Sequence, residues 1–443
     1  MENHSSPAPK HVVIIGGGFS GLSAAYQLLG SGLKVTIIEE QAELGGLAGC
    51  FEVSPGVMLE KFYHHWFTSD TDILGLVRKL GLQSELQFNQ TNTGLYHANS
   101  IFRLASPLDL LKFTALPLID RIRTGFMALV ARRIRDWHSL EDMSAEEWII
   151  SLAGRRSFEV IWQPLLKGKF GVEAANVSAV WFWNKLKLRG SSRNKGGSES
   201  LVYLNGGFSA LLKVLRTQLE AGGVEIKTST PVTEIVIENN RASAVMTNTG
   251  RLNADAVLAT VPLPVFIKLA PELPQAFRAA AAGIRFLGNI CLVFRLRRSL
   301  SSTYWLNVAD PSFPFVGVIE HTNMDSCANY GGENIAFVSK YLPVSDPLFS
   351  MDKDSLLEYS LPYLQRIFPE FSKEWIIDCA LWKANHSQPV ITRNYSEHVP
   401  PFQTPIENLW LCTMAQIYPE DRGTNYAVKY GSLVAEEMKR SLV

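Results

Sequence analysis

The stretch from His11 to Glu39 restricts the fold of this chain more than any other part. His11 to Ile15 is rich in β-branched residues and long enough for one buried parallel strand. Gly16-Gly17-Gly18-Phe19-Ser20-Gly21 follows directly, and Leu22, Ala25, Tyr26 and Leu29 then recur at helical spacing. Gly30 and Gly32 stop that helix, and Lys34 to Ile38 reads as a second buried strand closed by Glu39. Strand, glycine turn, helix, strand and acid make a βαβ unit. Gly16 and Gly18 allow a tight turn and let the backbone approach a pyrophosphate, while Gly21 removes the Cβ that would hold helix and strand apart. Phe19 and Ser20 open the helix, whose start offers free N–H groups and partial positive charge to phosphates. Glu39 sits at the tip of the second strand, where a carboxylate accepts both hydroxyls of an adenosine ribose and repels a 2′-phosphate. The pattern predicts a dinucleotide site that disfavours NADP.

Composition narrows the rest. The 443 residues are 47% hydrophobic and 19% charged, ample material for two or three domains at a prior of about 150 residues each. Forty-two Lys+Arg balance 42 Asp+Glu, so no net field draws nucleic acid, and no nucleic-acid partner is expected. Cys50, Cys291, Cys327, Cys379 and Cys412 are scattered, with no zinc knuckle or CxxC pair, and no metal is expected. They read as the reduced thiols of a cytoplasmic protein. Residues 1–10 lack an apolar signal core, and no run approaches the roughly 18 apolar residues of a membrane span.

Beyond Glu39 the chain continues Glu40-Gln41-Ala42-Glu43-Leu44-Gly45-Gly46-Leu47-Ala48-Gly49. This extension resembles the paired-glycine segment of flavoproteins in the amine oxidase, protoporphyrinogen oxidase and phytoene desaturase superfamily. There the glycine pair lets backbone pass close to the flavin's pyrophosphate and ribityl chain, which implies cofactor contacts for Glu40, Gly45, Gly46, Leu47 and Ala48. Tyr203-Leu204-Asn205-Gly206-Gly207-Phe208 is similar to the family's entry to its second flavin-domain segment. Val232 matches the strand whose backbone holds the adenine, and Asp255 to Pro262, with Thr260, resembles the strand after it. The C-terminal unit resembles the last strand and helix, whose N-terminus faces the flavin pyrimidine; Met414, Arg422, Gly423 and Asn425 fall there. One departure stands out: the family ends that strand in Gly and an acid, and here Thr413 and Met414 occupy those places. Glu420 or Asp421 is then the candidate for the ribityl hydroxyls.

The resemblance implies FAD and an α/β fold: a Rossmann-like FAD-binding domain built from three chain segments, 1–70, 198–265 and 405–443. An α+β substrate domain of helices plus antiparallel sheet, 71–197 and 266–404, is inserted between them. Tyr63, His64 and His65 follow the glycine pair closely, where the family's chain returns beside the isoalloxazine, and a histidine there serves as acid or base or simply packs among aromatics. Lys167 and Lys169 lie in a helix end that the superfamily places near the substrate; Lys169 is a catalytic candidate and solvation the alternative. Cys412 is a candidate for a covalent flavin link. Arg189, Arg193 and Lys195 form a basic loop that suits a phosphate or carboxylate, or only solvent. Helical segments between Leu108 and Ile134 mix Leu, Phe and Val with Arg121, Arg123, Arg132 and Arg133, a pattern of packing within the domain or of peripheral membrane contact.

The expected activity is removal of a hydride from a C–C, C–N or C–O bond of a small, largely apolar substrate. No second GxGxxG follows a later strand, so the electrons pass to oxygen, a quinone or a protein. Two other readings stay open: a non-redox flavin enzyme resembling UDP-galactopyranose mutase, and a prenyl or lipid carrier resembling GDP-dissociation inhibitor. The intact glycine motif and Glu39 weigh against the carrier.

Overall fold

The computed structural model describes residues 8–103, 107–191, 199–310 and 312–443. The first unit is β1 (His11–Ile15), α1 (Phe19–Leu28) and β2 (Lys34–Ile38), followed by α2 (Thr71–Lys79). A helical stretch holds α3 (Pro107–Lys112), α4 (Leu118–Arg133), α5 (Gln163–Phe170) and α6 (Ala179–Ser191). Two short strands, β3 (Glu225–Lys227) and β4 (Ala256–Ala259), precede four longer or flanking ones. These are β5 (Phe286–Leu296), β6 (Trp305–Val308), β7 (Asn334–Leu342) and β8 (Ile376–Pro389). The chain closes with β9 (Leu409–Leu411) and α7 (Thr424–Leu442).

The order β3-β2-β1-β4-β9 makes an all-parallel five-stranded sheet drawn from three separated parts of the chain, the Rossmann-like arrangement expected. Parallel strands are covered on both faces, and β1 shows the two-residue alternation this demands. Val12 and Ile14 enter a core with Val35, Ile37, α1 and α7, whereas Val13 and Ile15 enter a second core with Val257, Ala259 and Leu411. A seven-stranded sheet, ordered β8-β5-β7, Gly317–Glu320, β6, Thr93–His97 and Ser100–Arg103, forms the wall of the other half.

Local readings differed from the structure in three places. The helical pattern before Arg135 breaks into α3 and α4, because Pro117 has no N–H to continue a helix and itself precedes α4. The basic stretch expected as a loop begins inside α6 and ends in the strand Glu199–Leu204; the Arg189 side chain, Arg193 and Lys195 lie outside the described residues. The wall expected to be antiparallel has one parallel pairing, β6 with Thr93–His97.

A buried polar knot ties the two halves. Tyr203 donates to both oxygens of the buried Glu60 at 3.0 and 2.8 Å, and Tyr330 donates to Asp325 at 2.9 Å. With Tyr330's proton spent, His321 donates Nε2–H to its oxygen at 2.8 Å. Burial pushes the His321 pKa down to about 3, so folding excludes a proton that the unfolded chain accepts below its ordinary 6.5. The stability this neutral histidine permits is complete above pH 6.5 and falls as pH drops toward 3, by roughly 3 kcal/mol at pH 4. His321→Gln keeps a donor without titrating, so urea melts between pH 6 and 4 should show a shallower slope than wild type. An identical slope would place the acid sensitivity elsewhere.

Candidate cofactor cradle and adjoining chamber

Two glycine turns meet at the C-terminal edge of the parallel sheet. The Gly45 N–H donates to Gly17 O at 2.9 Å, and Gly18 bridges to Gly45. Gly16 (φ +107°), Gly45 (φ +112°) and Gly46 (φ +58°) occupy backbone regions that L side chains avoid, and a Cβ on Gly18 would meet only Gly46 Cα, at 3.9 Å. The two turns thus face each other through bare backbone at Gly18 and Gly46, while Thr260, Leu44 and Leu212 pack against Gly16, Gly17 and Gly45. At Gly21 the reason for glycine is packing: a Cβ would lie 2.1 Å from Gly16 O. No side chain caps α1, so the first-turn N–H groups of Phe19, Ser20 and Gly21 are left by helix geometry for another acceptor. Phe19 itself packs inward, edge-on to Phe208 at 5.9 Å.

Glu39 lies against the first glycine turn. Its carboxylate, 8% exposed, accepts from Gly17 N–H at 2.7 Å and Gln41 N–H at 2.9 Å. Burial raises its pKa, while those two amide bonds pull the other way. Thr230 N–H donates to Glu39 O at 2.9 Å, which brings the start of the Val232–Glu238 strand alongside. Facing glycine turns, an uncapped helix start and a buried acid beside them fit the pyrophosphate and ribose of a dinucleotide.

Several expected contacts are placed differently. Thr260 donates to Ile15 O (2.9 Å) and Gly16 O (3.1 Å), so it latches the glycine turn to β4. Glu40 is exposed, while Leu47 and Ala48 lie in the turn after Gly46, the latter buried. The Asn425 Oδ1 accepts from Asp72 N–H and Ile73 N–H (2.9 and 3.1 Å), capping α2 from the start of α7. Gly423, at extended φ, precedes that helix. Met414 is half-buried after β9, where Gln416 accepts from Thr413 N–H at 2.7 Å and donates to Leu411 O at 3.1 Å. Glu420 is spent on Lys429 at 3.2 Å.

Side chains from α5, α6, β7, β8 and two loops converge just before α7. Arg422 donates to the Tyr341 hydroxyl on β7 and, through Nε, to Gln388 Oε1 on β8 at 3.2 Å. Tyr63 bonds the same Tyr341 hydroxyl at 3.3 Å and packs edge-on to Trp305 and Phe337. Because Arg422 and Tyr63 both donate to it, the Tyr341 hydroxyl keeps its own proton for a ligand. Asp421 touches Lys185 of α6, lies 3.9 Å from Lys169 of α5, and accepts from Gln388 Nε2 at 3.2 Å. Burial alone would raise the Asp421 pKa; Lys185, Lys169 and Arg422 reverse this and hold it well below the carboxylate range.

The adjacent histidines part company. His64 donates Nδ1–H to Phe62 O at 2.7 Å and sits 5.4 Å from the Phe208 ring; burial and Arg422 lower its pKa to about 4, so it is neutral with Nε2 as acceptor. His65 instead bonds Tyr304 at 2.9 Å within a cage of Phe67, Tyr304 and Trp305. Tyr341, Gln388, Lys185 and Trp181 carried no local motif and escaped the sequence reading. A lysine inside the aromatic run Trp181-Phe182-Trp183-Asn184-Lys185 was the one available signal.

The fold and the facing glycine turns define an FAD-binding protein of the Rossmann-like class. The chain belongs to the flavin-containing amine oxidoreductase family, whose model matches residues 19–437, and FAD is its cofactor. It is 25% identical over 307 residues to zeta-carotene desaturase of Solanum lycopersicum, covering 60% of this chain and 51% of that one. The match thus spans about half of that relative's length. Polyamine oxidase 4 of Arabidopsis thaliana is 23% identical over 350 residues, 73% of this chain and 63% of that one. A protoporphyrinogen oxidase-like structure from Exiguobacterium superposes with a TM-score of 0.78 at 17% identity, covering 98% and 99% of the two chains. Among the described residues no helix is long and apolar enough to cross a membrane.

Proposed function

We propose that this chain is an FAD-dependent oxidoreductase that takes a hydride from a C–C, C–N or C–O bond of a largely apolar small molecule, the electrons passing to oxygen, a quinone or a protein. What supports it most is the complete cradle of Gly16–Gly18, Gly45–Gly46 and Glu39, which a carrier without a flavin has no use for. The FAD-binding part comprises 1–70, 198–265 and 405–443, and 71–197 with 266–404 hold substrate. Bound FAD supplies the hydride acceptor. Gly16, Gly18, Ser20, Gly45 and Gly46 hold its pyrophosphate by backbone, Glu39 its ribose, and Val232 its adenine. Arg422 and the open start of α7 put positive charge beside the chamber, which favours an arriving electron pair. Tyr341 offers a hydroxyl proton, and neutral His64 accepts one. His65 is assigned to packing.

The test is the visible spectrum of purified protein before and after acid precipitation, then anaerobic mixing with candidate substrates. Flavin bands released to the supernatant are expected, because the buried Cys412 thiol, its pKa raised to about 12, has no thiolate for a covalent link. A colourless chain that takes up no added FAD would overturn the reading.

The α3–α4 pair supports peripheral contact with an anionic lipid surface. Leu108, Leu111, Leu118, Ile119, Ile122, Phe126 and Leu129 are each at least 45% exposed. The same segment carries Lys112, Arg121, Arg123, Arg132, Arg133 and Arg135 against Asp109 and Asp120, in a chain whose total charge is balanced. Exposed apolar area flanked by arginine suits a negatively charged interface. Flotation with vesicles containing about one third phosphatidylglycerol should recover the protein, and Leu118→Glu with Phe126→Glu should release it. Wild type left unbound would refute the contact.

A further inference from the structure

We propose that Trp181, Asn184 and Tyr341 recognise an uncharged hydroxyl group borne by the substrate; this rests on the chamber before α7 being the substrate site. The Trp181 indole N–H and the Asn184 Oδ1 are orphans. Each residue is 6% exposed, and neither atom has a hydrogen-bond partner, although buried polar atoms are nearly always paired. The two stand three residues apart on α6, so a donor and an acceptor project from one helix face without bonding each other. Burying either one unpaired costs stability, which the fold recovers only when a third group serves them.

Tyr341 supplies the third unclaimed capacity. Its oxygen accepts from Arg422 and from Tyr63, which fills both lone pairs. A guanidinium cannot accept, so the Arg422 bond never reverses and the Tyr341 proton turns elsewhere. Among the described residues nothing takes that proton. The Lys169 Nζ lies 4.7 Å from the Trp181 ring centre and 5.3 Å from that of Tyr341, so the two rings border one space. Two donors and one acceptor are thus left over on one wall, and indole, phenol and amide are all uncharged groups. That set mirrors a hydroxyl, whose oxygen accepts twice and donates once. A carbonyl or ether oxygen accepts but cannot serve Asn184, and an ammonium donates but cannot serve Trp181 or Tyr341. The substrate class is therefore an apolar body bearing an alcohol.

The experiment titrates the FAD-loaded protein, by anaerobic calorimetry, with cyclohexanol, cyclohexanone, methoxycyclohexane and cyclohexylamine, which share one ring and differ in the polar group. Cyclohexanol should bind at least about threefold tighter than the ketone or the ether, one hydrogen bond's worth, and the amine should not bind. Asn184→Leu should erase the preference for alcohol over ketone, and Trp181→Phe should weaken cyclohexanol at least threefold, with flavin content retained in both. A second readout needs no ligand: Asn184→Leu removes an orphan and keeps the volume, so its urea midpoint should rise above wild type. A fall in that midpoint would show that the amide serves the fold and would overturn the site. Cyclohexanol binding no tighter than the ketone and ether would mean that water alone serves these groups, which would overturn it as well. A chain that takes up no FAD would fail the oxidoreductase reading, while the melts of Asn184→Leu would still decide this one.

Discussion

Glu39→Ala should raise the dissociation constant for FAD by about a hundredfold or more, the largest effect expected of any single substitution in the cradle. Two charge-assisted bonds to the ribose are lost, each about 1.5 kcal/mol or more, and every 1.4 kcal/mol is a factor of ten. The turn is also loosened, because Gly17 N–H and Gln41 N–H lose the oxygens they bond at 2.7 and 2.9 Å. Glu39→Gln keeps one acceptor oxygen and should fall between the two. Titration of deflavinated protein with FAD, followed by fluorescence quenching, measures both. Full flavin occupancy with unchanged affinity in Glu39→Ala would mean that the ribose lies elsewhere.

Gly431→Ala should destabilise the protein by about 3 kcal/mol, an inverted sign for this exchange. Alanine normally improves a helix interior by about 1 kcal/mol. In α7, however, a Cβ at Gly431 would lie 2.3 Å from Ser20 O and 2.4 Å from Ser23 Oγ, so α7 must retreat from α1. Ser20 sits in the first turn of α1, and FAD affinity should fall with stability. Gly75→Ala, in α2 with nothing within 4 Å of its Cβ, is the control and should stabilise by about 0.5–1 kcal/mol. Urea melts of the pair decide the matter: a neutral or stabilising Gly431→Ala would refute the close contact.

The parts legible in the sequence are those whose requirements are local. Val12 to Ile15, the glycine turns and Glu39 each encode a backbone conformation or a strand end within a few residues, so composition and spacing suffice. The same holds for the three-segment architecture, because each segment carries its own pattern around a strand of one sheet.

The chamber was decided by tertiary structure. His64 and His65 are neighbours in the chain, yet one meets Phe62 O and the influence of Arg422 while the other enters a cage with Tyr304; nothing in the pair of letters separates them. Asn425 and Thr260 matched a family pattern, but their side chains serve α2 and the glycine turn. Lys169, Lys185, Tyr341, Gln388 and Asp421 are spread over more than 250 residues and have no spacing to read. Periodicity and turn chemistry are properties of short stretches of backbone, and the sequence by itself determined the cradle they build. Which side chains share a charge or a proton depends on how α5, α6, β7 and β8 are brought against the start of α7, and only the packed structure decides that.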